Sequence, residues 1–188
     1  MRRIVLAVVA AALLTACNQG DQQQGTPATA APNDADVTFT QNMIPHHRQA
    51  IEMAKLIQAR TTRSELRQLA DGVAASQGQE ITQMEDWLQG WGKAAPAGTD
   101  HDAMQMPGMM RQAEMQRLMD LQDVRFDLAF IDMMTAHHRG AIQMANTELR
   151  DGSLPQVKDL AQQIIDAQQT EIHQLQGWKQ DWSVPPIR

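Results

Sequence analysis

Apolar residues recur along this chain at the three- and four-residue spacing of a helical face, in long blocks separated by polar or Gly/Pro-containing breaks. Over residues 36–59 the periodic positions are Phe39, Met43, His46/His47, Ala50, Met53/Ala54 and Ile57. Asp34 or Asp36 is placed to cap this helix. Pro45 falls inside it, where it should kink the helix or mark its first turn. A polar turn at 60–64, with Thr62 or Ser64 as capping candidates, leads to a second helix over about 64–91. Its seam reads Leu66, Leu69, Val73, Gln77, Glu80, Met84, Trp87, Trp91, so two polar residues occupy apolar places. Residues 92–110 break the period, and 111–121 read as a short amphipathic helix. A third long helix over 124–150 stops at Asp151-Gly152. Pro155 opens a fourth, which runs to about 181.

The second pair of long helices repeats the first. Residues 43–54 are MIPHHRQAIEMA and residues 134–145 are MTAHHRGAIQMA, an offset of 91 from Met43 to Met134. The alignment runs without a gap from Asp36/Asp127 to Trp91/Trp182 and is identical at roughly a third of its positions, which marks an internal duplication. Gln168 and Glu171 repeat Gln77 and Glu80. Short turns within each pair make the pairs antiparallel. The prediction is an all-α four-helix bundle built from two duplicated antiparallel helical hairpins. Its parts are a first hairpin at 36–91, a Met-rich linker with a short helix at 92–123, a second hairpin at 124–182 and a tail at 183–188.

The hairpin geometry brings chemistry together. A turn centred near 61 or 62 sets His46 level with Gln77 and Met43 with Glu80. The second turn does the same for His137 with Gln168 and Met134 with Glu171. Adjacent His residues point about 100° apart on a helix, so one of each pair should face the bundle axis and the other the seam between helices. Buried imidazole, guanidinium and carboxylate groups cost free energy unless they are paired or bind something. Two readings compete. In one, the band is a satisfied polar network, with Glu80 accepting from His47 or Arg48 and Glu171 from His138 or Arg139, and the Met residues fill core space. In the other, Met43, His46, His47, Met53, Met134, His137, His138 and Met144 form metal sites. Met at i and His at i+4 can reach one ion from one helix face. Thioether sulfur suits Cu(I), whereas Zn²⁺, Mg²⁺ and Ca²⁺ do not favour it. Gln77, Glu80, Gln168 and Glu171 would then orient the imidazoles. His101, Met104, Met106, Met109 and Met110 crowd the linker as a further candidate set for a soft metal. His173 stands where the first copy has Thr82, so it is left out.

The N-terminus changes the setting of this bundle. Arg2 and Arg3 precede an apolar run, Ile4–Leu14, too short to span a membrane, and Leu14-Thr15-Ala16-Cys17 resembles a lipobox. Residues 1–17 therefore read as a lipoprotein signal peptide, with Cys17 the lipidated residue and 18–35 a disordered tether. The expected location is the cell envelope, lipid-anchored and facing the periplasm or the exterior. Cys17 is the only cysteine, so disulfides and thiolate metal sites are excluded from the folded part. The formal charge of −6 argues against nucleic acid as a partner. The chain has 13 Met and no Tyr. It has no Glu-x-x-His pair for a di-iron centre, no nucleophile elbow, no phosphate loop and no HExxH, so no enzyme is expected.

The motif Met43-x-x-His46-His47-x-x-Ala50-Ile51-x-Met53-Ala54, followed by Gln77-x-x-Glu80-Ile81 and Trp87, resembles the domain-of-unknown-function 305 family. So do its second copy, Met134–Ala145 with Gln168, Glu171, Ile172 and Trp178, and the linker run Met106-Pro107-Gly108-Met109-Met110. The resemblance spans roughly 36–182. It implies a ferritin-like four-helix bundle, often secreted, and copper as the cargo, since some members are implicated in periplasmic copper binding and resistance. The two functions to separate are a copper-binding envelope protein and a structural or interaction module with a buried polar network. An oxidoreductase using bound copper or iron is the least supported.

Overall fold

The structure, a computed structural model, describes residues 30–98 and 106–183. It is all-helical among those residues: α1 (Asp34–Leu56), a 3-10 turn (Ile57–Ala59), α2 (Ser64–Gly90), α3 (Gln112–Met119), α4 (Asp123–Asp151) and α5 (Pro155–Ser183). Each predicted long helix is present, and Pro45 sits inside an unbroken α1. No helix among the described residues is long and apolar enough to cross a membrane.

The helix ends differ in detail from expectation. Asn33, not Asp34 or Asp36, caps α1. Its side chain accepts from Asp36 N–H at 2.9 Å, and the Asp36 carboxylate accepts from Asn33 N–H at 2.7 Å, a reciprocal capping box. Arg63 holds the N-cap position of α2, and its N–H donates to Thr61 Oγ1 at 3.1 Å, so neither Thr62 nor Ser64 caps the helix. Gly152 follows α4 in extended conformation, φ −68° and ψ 160°, so it does not supply a left-handed turn. It is needed for space: a Cβ there would lie 1.9 Å from Glu148 Oε1.

Two apolar clusters, one toward each end of the bundle, define how the helices run. The first contains Ala50, Met53, Leu66, Val73, Phe130, Met134 and Leu175. The second contains Phe39, Met43, Met84, Leu88, Ala141, Ala145 and Ile164. Along α1 the second cluster comes before the first, and along α4 the order reverses, so α1 and α4 are antiparallel. The hairpins α1–α2 and α4–α5 pack on either side of that central contact, while α2 and α5 scarcely touch. Between the clusters lies the His band.

The duplication also builds a reciprocal clamp. Asp36, near the start of α1, accepts from Ser153 N–H and Leu154 N–H, each at 3.0 Å, and from Ser153 Oγ–H at 2.6 Å. It thereby ties the turn of the second hairpin. Its counterpart Asp127 accepts from Arg63 Nε–H at 3.1 Å, in the turn of the first hairpin. Arg63 also stacks over Trp182 at 3.8 Å. Each hairpin thus holds the other's turn with an equivalent carboxylate.

Candidate metal centre

All four paired histidines are fully buried, as are Met43, Met53 and Met134. His46 on α1 and His137 on α4 meet at the bundle axis, with ring centroids 3.8 Å apart and planes tilted by 36°. His47 and His138 turn toward the seams. His47 Nε2–H donates to Glu80 Oε2 at 2.6 Å, and Glu171 Oε2 lies 2.7 Å from His138 Nε2 without the alignment a hydrogen bond needs. The division into one axial and one seam-facing ring follows from the angle between adjacent helical residues.

The register is displaced by one helical turn from the levels expected from the turns. Glu80 meets His47, not Met43, and Glu171 meets His138, not Met134. Side chains lean toward the N-terminus of their own helix. In an antiparallel pair the two lean past each other, so contact joins residues one turn out of level. The identical displacement in both hairpins fits that cause.

The arginines of the motif are not buried with the imidazoles. Arg48 donates to Glu85 Oε1 at 2.6 Å and to Pro96 O at 2.8 Å, and Arg139 is exposed. Gln77 and Gln168 are buried at the band, and in each the side-chain carbonyl oxygen has no hydrogen-bond partner. Met53 packs in the first apolar cluster, whereas Met144 is half-buried against the second. His173 is exposed.

The linker is partly folded against this centre. His101 and Met104 lie outside the described residues. Met106 and Met109 are half-buried. Met110 is buried in the first cluster, so it builds core and is not an exposed loop thioether. Residues 106–110 cross the α1–α4 seam, fixed by two residues at equivalent positions of the duplication. Gln49 makes a two-bond clamp: Met110 N–H donates to its Oε1 and its Nε2–H donates to Met110 O, both at 2.7 Å. Gly140 makes room instead, since a Cβ there would lie 1.9 Å from Pro107 O. Gly108, at φ 76°, lies against the backbone of α4. His46 Nε2–H then donates to Pro107 O at 3.0 Å.

These contacts fix the protonation of the band. A carbonyl or ionised carboxylate only accepts, so His46 and His47 carry their protons on Nε2 and present bare Nδ1 atoms. Five ring nitrogens have no partner, Nδ1 of all four histidines and Nε2 of His137, while Nε2 of His138 faces Glu171. Burial, reinforced by His47, holds the pKa of His46 at about 3, although the bond to Pro107 opposes this. Burial, then the neighbouring His46 ring, pushes His137 well below its ordinary range. Both imidazoles are therefore neutral at neutral pH and keep lone pairs available. Among the described residues no three or more His, Cys, Asp or Glu are grouped to hold a metal ion. The donors available are imidazole nitrogens with thioethers beside them, which is a set for a soft, low-coordinate ion.

Comparison with known proteins gives concordant matches. A family model described as Domain of unknown function (DUF305) matches residues 36–179, and a prokaryotic membrane lipoprotein lipid attachment site matches residues 1–18. A DUF305 protein from Streptomyces coelicolor is 30% identical with TM-score 0.73, the match covering 82% of this chain and 97% of that one. A DUF305 fragment from Deinococcus radiodurans is 30% identical with TM-score 0.74, covering 81% and 99%. CopM in its Cu(I)-bound form is 32% identical with TM-score 0.66, covering 78% and 96%. The same protein has been solved with Cu(II) and with Ag. No curated protein matches the chain.

Proposed function

From the premise that this chain belongs to the DUF305 family and is lipid-anchored in the cell envelope, we propose that it binds copper, chiefly Cu(I), for sequestration, resistance or delivery. The helical sites are Met43, His46, His47 and Met53 from the first hairpin and Met134, His137, His138 and Met144 from the second. The observation that carries this reading is the set of five partnerless ring nitrogens on four fully buried histidines. A native core seldom leaves buried polar atoms unpaired, because each costs about 1–3 kcal/mol. A bound ion would supply the missing partner. Met43 and Met134 stand one turn before His47 and His138, so each half offers sulfur and nitrogen from one helix face. The Cu(I), Cu(II) and Ag forms of CopM support the same class of ion. The role is binding, with no reaction assigned. Met106 and Met109, half-buried on the linker, are a secondary set.

A second reading has one specific observation in its favour. His47 already has a carboxylate partner, Glu80, as a purely structural network requires. The two readings separate on titration. Residues 18–188 are titrated with Cu(I) against a competing chelator, alongside the variant with Met43, His47, Met134 and His138 all changed to Ala. The copper reading expects the variant to lose tight binding. Unchanged affinity would remove the helical sites and leave the structural network standing.

A further inference from the structure

The two half-sites are not equivalent, and the difference lies on the side of the bundle where α2 and α5 part. There an open groove of about 600 Å³ runs between them, with Glu65, Gly72, Ala167, Glu171 and Trp178 in its walls. Gly72 opens it: a Cβ at that position would meet nothing within 4 Å. The counterpart of Gly72 in the second copy is Gln163, so the duplicated seam carries a full side chain at that place.

Glu171 connects this groove to the buried band. Its side chain is 20% exposed, and its Oε2 reaches to 2.7 Å from Nε2 of His138, whose own side chain is 0% exposed. Nδ1 of His138 has no hydrogen-bond partner. In the other half, His47 Nε2 is bonded to Glu80. Each seam-facing imidazole therefore turns Nε2 to a carboxylate that only accepts, and keeps Nδ1 as its bare nitrogen.

Resting on the copper reading, we infer that the α2–α5 groove is the entrance for a soft monovalent cation and that Glu171 is a positioning residue that receives the ion there and passes it to His138. The charge of a half-exposed carboxylate draws a cation in. Its hard oxygen binds a soft ion weakly, so transfer to the imidazole nitrogen is favourable. The second half-site fills first. His138 and His47, whose Nε2 atoms both face carboxylates, ligate through Nδ1.

Stopped-flow uptake of Ag⁺, a redox-inert monovalent probe, by mature protein tests this, read by tryptophan fluorescence because Trp178 lines the groove. Gly72→Gln restores the side chain of the second copy on an exposed helical position and should fold. With Gly72→Gln, uptake slows at least tenfold while the number of ions bound at equilibrium is unchanged, and with Glu171→Gln it also slows at least tenfold. With Glu85→Gln, which removes an α2 carboxylate outside the groove, uptake keeps its rate. Wild-type rates in either groove variant, or equal slowing by Glu85→Gln, would overturn the entrance while leaving the copper reading intact. A wild-type protein that takes up no Ag⁺ would overturn both.

Discussion

His46 and His137, equivalent residues of the two hairpins, face each other across the bundle axis with ring centroids 3.8 Å apart. Two cationic imidazoles at that distance in a buried site would repel strongly, so the pair is stable only when both rings are neutral. The folded pKa of His46 is about 3 and that of His137 is also lowered, against 6.5 as the ordinary value. A depressed pKa gives stability that is present above 6.5 and lost as pH falls toward the folded value. Metal-free protein should therefore weaken steadily from pH 6.5 downward. Each histidine contributes at most about 1.4 kcal/mol per pH unit. Urea midpoints at pH 7 and pH 5, for wild type and for His46→Gln/His137→Gln, check this. The double variant should show the smaller loss on acidification, and an equal loss would mean that other groups cause it.

Glu148 produces the opposite slope. It is 1% exposed, and its carboxyl group lies against that of Asp36. Burial first, and then the adjacent Asp36, push its pKa from 4.5 up to about 8. A raised pKa gives stability that is full below 4.5 and is lost as pH climbs through 8. Glu148→Gln keeps the neutral shape at every pH. It should melt close to wild type at pH 4.5 and several degrees above it at pH 8.5, at roughly 2–4 °C per kcal/mol. Scanning calorimetry at the two values decides the matter, and a gain of the same size at both pH values would contradict it.

Gly140 tests the seat of the linker. With a Cβ 1.9 Å from Pro107 O, Gly140→Ala must push residues 106–110 off α4. His46 then loses its carbonyl acceptor and Met110 its place in the core. The expected cost is about 1–3 kcal/mol. Gly78→Ala, where the new Cβ meets nothing within 4 Å, should be neutral or stabilising by up to about 1 kcal/mol. Denaturant midpoints of the two variants, compared side by side, check the contrast.

Much of the bundle was legible because it was written twice. The spacing of Met43, His47, Ala50 and Ala54, and of their copies, shows which helical faces are buried, and the polar Glu80 and Glu171 in apolar seams point to a partner opposite. The pairs Glu80–His47 and Glu171–His138 are among those the spacing allows, whereas their one-turn offset from the level set by the turns depends on the lean of side chains and not on loop position. The path of the linker was not legible, since its contacts are backbone to backbone. One signal was there: inside two nearly identical motifs, Gln49 is replaced by Gly140, and a duplicated helix face that breaks its own pattern at one position has something asymmetric lying on it. Met110 is buried for the same reason, since its loop is pressed into the core.

Asp36 and Glu148 should prove energetically coupled, and the sign of the coupling can be derived. Asp36 is buried, which would raise its pKa. Hydrogen bonds from Ser153, Leu154 and Asn33 outweigh that and hold it at about 2 against an ordinary 3.8. It is thus an anion at any pH where Glu148 titrates, and its charge helps keep the Glu148 proton in place. Asp36→Asn keeps an oxygen for Ser153 N–H and Leu154 N–H but replaces Oδ2, which accepts from Asn33 N–H and Ser153 Oγ–H, by an amide donor, which costs about 0.5–2 kcal/mol. It also removes a like charge beside Glu148, with Asp151 still raising and Lys158 still lowering the Glu148 pKa. The pKa of Glu148 then falls toward 4.5, and the folded state loses less stability as pH rises. The destabilisation caused by Asp36→Asn should therefore be smaller at pH 8 than at pH 6. In a Glu148→Gln background the difference between the two pH values should vanish, because no titrating partner remains. A double-mutant cycle by urea denaturation at both pH values measures it. A cost for Asp36→Asn that is the same at pH 6 and pH 8 with Glu148 intact would show that the two carboxyl groups do not sense each other.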